Sequence, residues 1–114
     1  MRLLNISAWA ALLIAAVGCR SRVVRVELTN TSPQPLYTIV VDYPGATFGV
    51  NQLAPGKSYQ YAIKPQDTGF LKIQFIDAAG ASHSYSGPTL HVNDEGSVRV
   101  ALTQASASAE PALH

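Results

Sequence analysis

The sequence is poor in sulfur, in tryptophan and in charge. Its 114 residues include one cysteine, one methionine and one tryptophan, and only 13% of them are Asp, Glu, Lys or Arg. A single cysteine excludes an intrachain disulfide and the paired thiols of redox enzymes. Eight basic and seven acidic residues give a formal charge of +1. A charge this small excludes binding through a clustered basic face, so we expect no nucleic-acid partner.

Apolar residues, in contrast, are abundant at 47% of the chain. Combined with the low charge, this fraction excludes disorder of the central part, because such a composition buries enough apolar surface to fold. A length of 114 residues corresponds to one small domain.

The N-terminal segment has the composition of a signal peptide. Met1-Arg2 contributes a positive charge, and an apolar run interrupted only by Ser7 extends from Ile6 to Val17. A run of about twelve residues is too short for a transmembrane helix, which needs about 20. We therefore predict that residues 1–18 are a signal peptide outside the folded domain.

The end of this segment resembles the lipobox of bacterial lipoproteins. In Ala16-Val17-Gly18-Cys19, small residues precede the single cysteine of the chain. The resemblance implies cleavage before Cys19, a membrane lipid attached to Cys19, and a short tether at residues 19–22. Arg20 stands where members retained in the inner membrane carry Asp, which implies the outer membrane, facing the periplasm. An ordinary secretory signal with an unmodified cysteine is the alternative.

Beyond Val23, apolar residues alternate with polar ones, as they do in strands buried on one face. Seven such runs are separated by turns rich in Pro, Gly, Asn and Asp. The runs begin near Val24, Tyr37, Phe48, Tyr59, Leu71, Ser82 and Val98. None has the spacing of an amphipathic helix. We predict an all-β fold, a single small antiparallel β-sandwich of about seven strands at residues 23–103.

In size and strand count this domain resembles immunoglobulin-like and fibronectin type III sandwiches. The run Asp94-Glu95-Gly96-Ser97-Val98-Arg99-Val100 is similar to the D-x-G-x-Y-x-C run of immunoglobulin domains, with Val98 and Val100 in place of Tyr and Cys. The resemblance implies an architecture and carries over no binding residues. Residues 104–114 are mostly small, and their low complexity predicts a disordered C-terminal tail.

An antiparallel chain sorts its turns between the two ends of a sandwich. The turns expected far from the anchor are residues 30–35, 54–57 and 78–81. Those expected near the membrane are residues 43–45, 65–69 and 93–96. Arg20 and Arg22 lie on the membrane side, and a tether this short reaches at most roughly 14 Å. We therefore expect the domain to rest close to the lipid headgroups.

Two histidines are the candidates for metal binding. His83 and His91 are near Asp77, Asp94 and Glu95 in sequence, and together these side chains offer the nitrogen and oxygen ligands that zinc or copper accepts. Their spacing of eight residues matches no established ligand motif. A pair of solvated histidines on a polar strand edge is the alternative.

Catalysis is not indicated. Ser82 and Ser84 flank His83, but adjacent residues of a strand point to opposite faces and do not form a nucleophile and base pair. The sequence also lacks the G-x-S-x-G turn that exposes an activated serine. We predict a protein that is not an enzyme and needs no cofactor.

The tyrosines offer a second kind of candidate site. Tyr37, Tyr59 and Tyr61 are suited to lining a carbohydrate or peptide groove, but Tyr59 and Tyr61 share a strand face with Ile63, which favours a place in the core. Residues 43–49 combine two aromatics with two glycines. This segment is either a recognition loop or a hairpin connection, and we favour the hairpin.

Two functional hypotheses follow. The first is a membrane-anchored, non-enzymatic envelope lipoprotein, held through Cys19, whose sandwich is an interaction or structural module with a protein partner. The alternative is a small-ligand or metal-binding periplasmic module that uses His83 and His91.

Overall fold

The computed structural model describes residues 22–114. The predicted signal peptide and Cys19 lie outside these described residues. The chain from Arg22 onward forms eight strands: β1 (Val24–Asn30), β2 (Leu36–Tyr43), β3 (Ala46–Leu53), β4 (Ser58–Ile63), β5 (Gly69–Ile76), β6 (Ser82–Leu90), β7 (Gly96–Leu102) and β8 (Ala107–Leu113). Among residues 22–114 there is no helix with the length and apolarity that crossing a bilayer requires.

The strands form two sheets of four, in the orders β4-β1-β7-β8 and β3-β2-β5-β6. The predicted β-sandwich is confirmed, with eight strands in place of about seven. One pair, β1 with β7, is parallel and lies at the centre of its sheet. The immunoglobulin sandwich consists of two antiparallel sheets, so the central parallel pair is a difference from that fold. Edge β3 lies across from edge β4, and edge β6 lies across from β8.

Alternation along the strands builds the core. In β1, Val24, Val26 and Leu28 are buried while Arg25 is exposed. The inward side chains of both sheets meet in one cluster: Val24, Val26, Leu28, Leu36, Ile39, Val41, Phe48, Leu53, Ile63, Leu71, Ile73, Phe75, Leu90, Val98, Val100, Leu102 and Ala107. Full burial of a Leu or Ile stabilises the fold by about 1.5–3 kcal/mol. The core therefore holds the domain together without a disulfide.

The predicted disorder of residues 104–114 is wrong. Ala107–Leu113 forms β8, which pairs with β7 in an antiparallel register from Leu102↔Ala107 to Gly96↔Leu113. Ala107 is buried, and Ala109 and Leu113 pack against the core. These residues alternate toward the inside, but small side chains make the pattern weak in the sequence. The unpaired edge of β7 supplies the hydrogen-bonding partner that the segment lacks on its own.

Gly96 makes this pairing possible. Its φ of +126° is open to glycine and strained for other residues. A Cβ atom here would lie 2.0 Å from the Ala112 carbonyl oxygen. The close approach of β8 therefore requires glycine at this position, in addition to the turn that the sequence predicts.

β6 is one strand from Ser82 to Leu90, with a register shift beside Gly87-Pro88 where it pairs with β5. Because it does not split in two, the direction of every later strand agrees with the predicted alternation. Val23, which precedes β1, contacts the β6–β7 turn, because the Gly96 N–H donates to the Val23 carbonyl. The Gln66 N–H donates to the Pro44 carbonyl at 2.9 Å, which joins the two other turns of this end.

The C-terminus returns to that same end, since His114 and Glu95 exchange backbone hydrogen bonds of 2.8 and 2.9 Å. The opposite end is held by Asn30, whose side chain is fully buried. Its amide nitrogen donates to the carbonyls of Gln34 at 2.8 Å and of Leu53 at 2.9 Å. Its amide oxygen accepts from the N–H and the hydroxyl of Ser32. Because β1 and Leu53 belong to different sheets, this one side chain ties the layers together.

We expect Asn30→Ala to lower the free energy of unfolding by about 3 kcal/mol, because it removes the side-chain partner of the buried Leu53 carbonyl and of the Ser32 N–H. Thermal unfolding followed by far-UV circular dichroism measures the effect. Asn51→Ala, the same change at an exposed asparagine of β3, is the control and should change stability by less than about 0.5 kcal/mol. Equal effects of the two substitutions would contradict the role of the buried amide.

Removal of residues 104–114 tests the eighth strand. We expect the truncated chain to lose about 2–4 kcal/mol of stability and to aggregate, since it exposes the edge of β7 and the core beneath Ala107. Urea denaturation and light scattering measure the two effects. The double substitution Ala107→Lys and Ala109→Lys should act in the same direction at full length. A truncated chain as stable as the intact one would contradict the eighth strand and support the predicted disorder of residues 104–114.

Candidate functional site

The structure does not bring the two candidate metal ligands together. His83 lies near the start of β6 and His91 directly follows its end. Eight residues of strand separate them by about 26 Å, so they cannot bind one metal ion. Among the described residues no group of three or more His, Cys, Asp or Glu side chains is placed to hold a metal ion. The hypothesis of a shared His83 and His91 site is wrong.

Each histidine instead faces a carboxylate. The His83 Nε2 and Asp77 Oδ2 atoms are 2.7 Å apart, and the His83 ring lies 5.1 Å from the ring of Phe75. Asp77 also accepts the N–H groups of Ala79 and Ala81. The hydrogen bond from His83, followed by the one from the Ala81 N–H, lowers the pKa of Asp77 below its usual range. This cluster closes the β5–β6 turn.

The other end of the sandwich has two looser pairs. His91 Nδ1 lies 3.6 Å from Asp94 Oδ2, and His114 Nε2 lies 3.7 Å from Glu95 Oε2. The Asp94 carboxylate also accepts the His91 backbone N–H at 2.8 Å. These carboxylates therefore contact the histidines of the β6–β7 turn and of the end of β8.

The serines beside His83 face away from it. Ser82 and Ser84 pair with Ile76 and Gln74, whereas His83 pairs with the buried Phe75. The two hydroxyls therefore lie on the outer face of the sheet and the imidazole on the inner side. The alternation of β6 separates the nucleophile and base that a serine hydrolase would need, as predicted.

Tyr59 and Tyr61 are not in the core, so that prediction is wrong. They lie opposite Leu28 and Val26 and share the inward face, as expected, but they are 38% and 39% exposed. The reason is that β4 is an edge strand, so side chains on its inward face reach solvent at the open side of the sandwich. Tyr37 is elsewhere, on the outer face of β2, and 36% exposed.

The open side between β3 and β4 carries a continuous group of rings, here called the aromatic edge and consisting of Tyr43, Phe48, Tyr59 and Tyr61. The Phe48 ring lies 4.5 Å from that of Tyr61, 6.5 Å from that of Tyr59 and 6.4 Å from that of Tyr43, centroid to centroid. Phe48 itself is buried beneath the tyrosines. Tyrosines that stand on a buried ring and keep their hydroxyls in water are typical of protein interfaces.

Residues 43–49 form a hairpin connection, as the sequence favours. β2 and β3 pair up to Tyr43↔Ala46, so only Pro44 and Gly45 form the turn. The hairpin places Tyr43 and Phe48 on one face. The aromatic edge could be found in the sequence from the alternation of Phe48, Tyr59 and Tyr61, but only once β3 and β4 were known to be facing edges.

No family model matches the chain, and no curated protein matches it. The chain is similar in structure to a protein from Eubacterium rectale solved by NMR, with a TM-score of 0.61 and 15% sequence identity. The similarity covers 79% of this chain and 88% of that one. At this identity it shows the fold alone.

The hydrogen bonds of Asp77 predict that the stability of the fold depends on pH. Because the pKa of Asp77 is lower in the folded chain than in the unfolded one, its contribution is present above the unfolded pKa and disappears as the pH falls through the folded pKa. We expect Asp77→Asn to melt at a lower temperature at neutral pH, and its melting temperature to fall less steeply below about pH 4. Circular dichroism melts across pH measure this, with Asp67→Asn as the exposed control. Parallel pH profiles for wild type and Asp77→Asn would contradict the prediction.

Proposed function

We propose that the protein is a non-enzymatic envelope lipoprotein, anchored through a lipid on Cys19, whose sandwich is an interaction module. The observation that supports the interaction role is the aromatic edge, where tyrosines 38% and 39% exposed stand on a buried phenylalanine. The anchor is supported by the resemblance of Ala16-Val17-Gly18-Cys19 to a lipobox. More than one acyl chain on the cysteine would hold the protein stably in a membrane.

The orientation of the domain follows from the proposed anchor. Arg22 is three residues after Cys19, and it lies at the end of the sandwich that contains the turns at residues 43–45 and 65–69. That end would face the lipid headgroups of the outer membrane, and the Asn30 end would face the periplasm. The aromatic edge runs along the side between them, where a protein partner can reach it.

Cys19→Ser tests the anchor. We expect the variant to accumulate as an uncleaved precursor without lipid, because the acyl acceptor and the cleavage site are lost together. Metabolic labelling with palmitate and fractionation of inner and outer membranes measure both effects. Ser21→Ala, a change inside the short tether, is the control and should leave processing unchanged. Normal processing and outer-membrane fractionation of Cys19→Ser would refute the proposed lipid anchor.

A further inference from the structure

The four edges of the sandwich differ in how they are protected against another strand. β6 has Pro88 next to its register shift, and β8 has Glu110 and Pro111. Prolines, charges and irregular registers are the usual devices that prevent strand addition at an edge. The edges on this side of the sandwich are therefore blocked.

The opposite side has none of these devices. β3 and β4 are eight and six residues long, and neither contains a proline or a charged residue. Every residue of β4 before Ile63 is exposed. A regular, uncharged edge of this kind is a template for a further strand unless something covers it.

The free backbone groups of β4 follow from its pairing with β1. The Asn30 N–H donates to the Lys57 carbonyl at 3.0 Å. This bond determines which residues of β4 hydrogen bond to β1 and which do not. Along an antiparallel strand, residues that hydrogen bond to the partner strand alternate with residues whose N–H and carbonyl groups point away from it. In the observed register, Ser58, Gln60 and Ala62 therefore direct their N–H and carbonyl groups away from the sheet.

These groups identify the chemistry of the ligand. An extended polypeptide matches the spacing of N–H and carbonyl groups along β4, whereas a sugar or a lipid does not repeat at that spacing. Every second side chain of an added strand would lie beside Tyr59 and Tyr61 on the aromatic edge. The backbone supplies affinity and the tyrosines supply selectivity for apolar side chains.

Charge at the ends of β4 distinguishes a partner from a second copy of this chain. Lys57 and Lys64 flank the strand, both are exposed, and neither forms an ion pair within residues 22–114. Because Ser58, Gln60 and Ala62 carry the outward backbone groups, two antiparallel copies would pair about Gln60, with Lys57 of each copy opposite Ile63 of the other and next to its Lys64. The lysines of the two copies would therefore repel each other at both ends of the strand. Acidic residues at both ends of the added strand would pair with the lysines.

We infer that β4 binds an extended segment of a partner protein by strand addition, with apolar side chains on the aromatic edge and acidic residues at Lys57 and Lys64. The inference deepens the proposed interaction role and does not depend on the anchor. Loss of lipid from Cys19 would change where the protein fractionates, whereas loss of the β4 edge would change what it binds. The two failures are therefore distinguishable.

The probe is the synthetic peptide Asp-Val-Thr-Val-Thr-Val-Thr-Asp, added to the full chain in detergent. We expect the amides of Gln60 and Ala62 to exchange more slowly with deuterium in its presence, and those of β6 and β8 to be unaffected. Ala62→Pro removes an outward N–H and should weaken binding about tenfold or more, whereas Ala62→Thr, which keeps the N–H, should bind within about twofold of wild type.

The charge requirement is tested without altering the strand. The double variant Lys57→Glu and Lys64→Glu should prefer the same peptide with lysine at both ends, reversing the wild-type preference by about tenfold in each direction. These side chains are exposed, so the variant keeps its fold even where Ala62→Pro does not. Absence of protection at β4, protection at β6 or β8, or equal binding of both peptides would overturn the inference. A peptide-free dimer that Ala62→Pro abolishes would show that a second copy is the occupant, and would overturn it as well.

Discussion

The buried amide of Asn30 is the interaction on which the arrangement of the two sheets depends. A β-sandwich is held mainly by apolar contacts, which do not by themselves prescribe how one layer is placed on the other. Asn30 does so, because its amide group hydrogen bonds to the carbonyl of Leu53 in the opposite sheet and to the loop that leads there. A buried amide whose donors and acceptor are all used tolerates few alternative arrangements.

The order of the strands in the two sheets determines which sides of the sandwich are open. Edges β3 and β4 face each other on one side, and edges β6 and β8 face each other on the other. β8 completes its sheet beside β7, close to the backbone of Gly96, and it carries a proline and a glutamate along the outer rim. The β3 and β4 side has aromatic side chains instead. An asymmetric distribution of protected and unprotected edges is what a module that binds along one side requires.

The candidate sites show which residue properties the sequence predicts well. The faces of the strands followed from alternation, and His83 and its flanking serines are on opposite faces as expected. Exposure was harder to predict. Tyr59 and Tyr61 are on the inward face, yet they are accessible, because inward at the edge of a sheet is not the same as buried. His83 and His91 failed as a pair because an extended chain keeps residues eight positions apart far from each other.

The sequence by itself determined the first seven strands, their directions and the turns between them, because these depend on the alternation of neighbouring residues and on local Pro, Gly, Asn and Asp. It also contains the whole of the lipobox resemblance at Cys19, which rests on neighbouring residues alone. Tertiary structure alone decided that residues 107–113 become a strand, that Asn30 is fully buried and that the tyrosines form an accessible edge. Each of these depends on a neighbour far away in the chain: the edge of β7, the carbonyl of Leu53 and the ring of Phe48. Weak local preferences become fixed structure only when such a partner is in place.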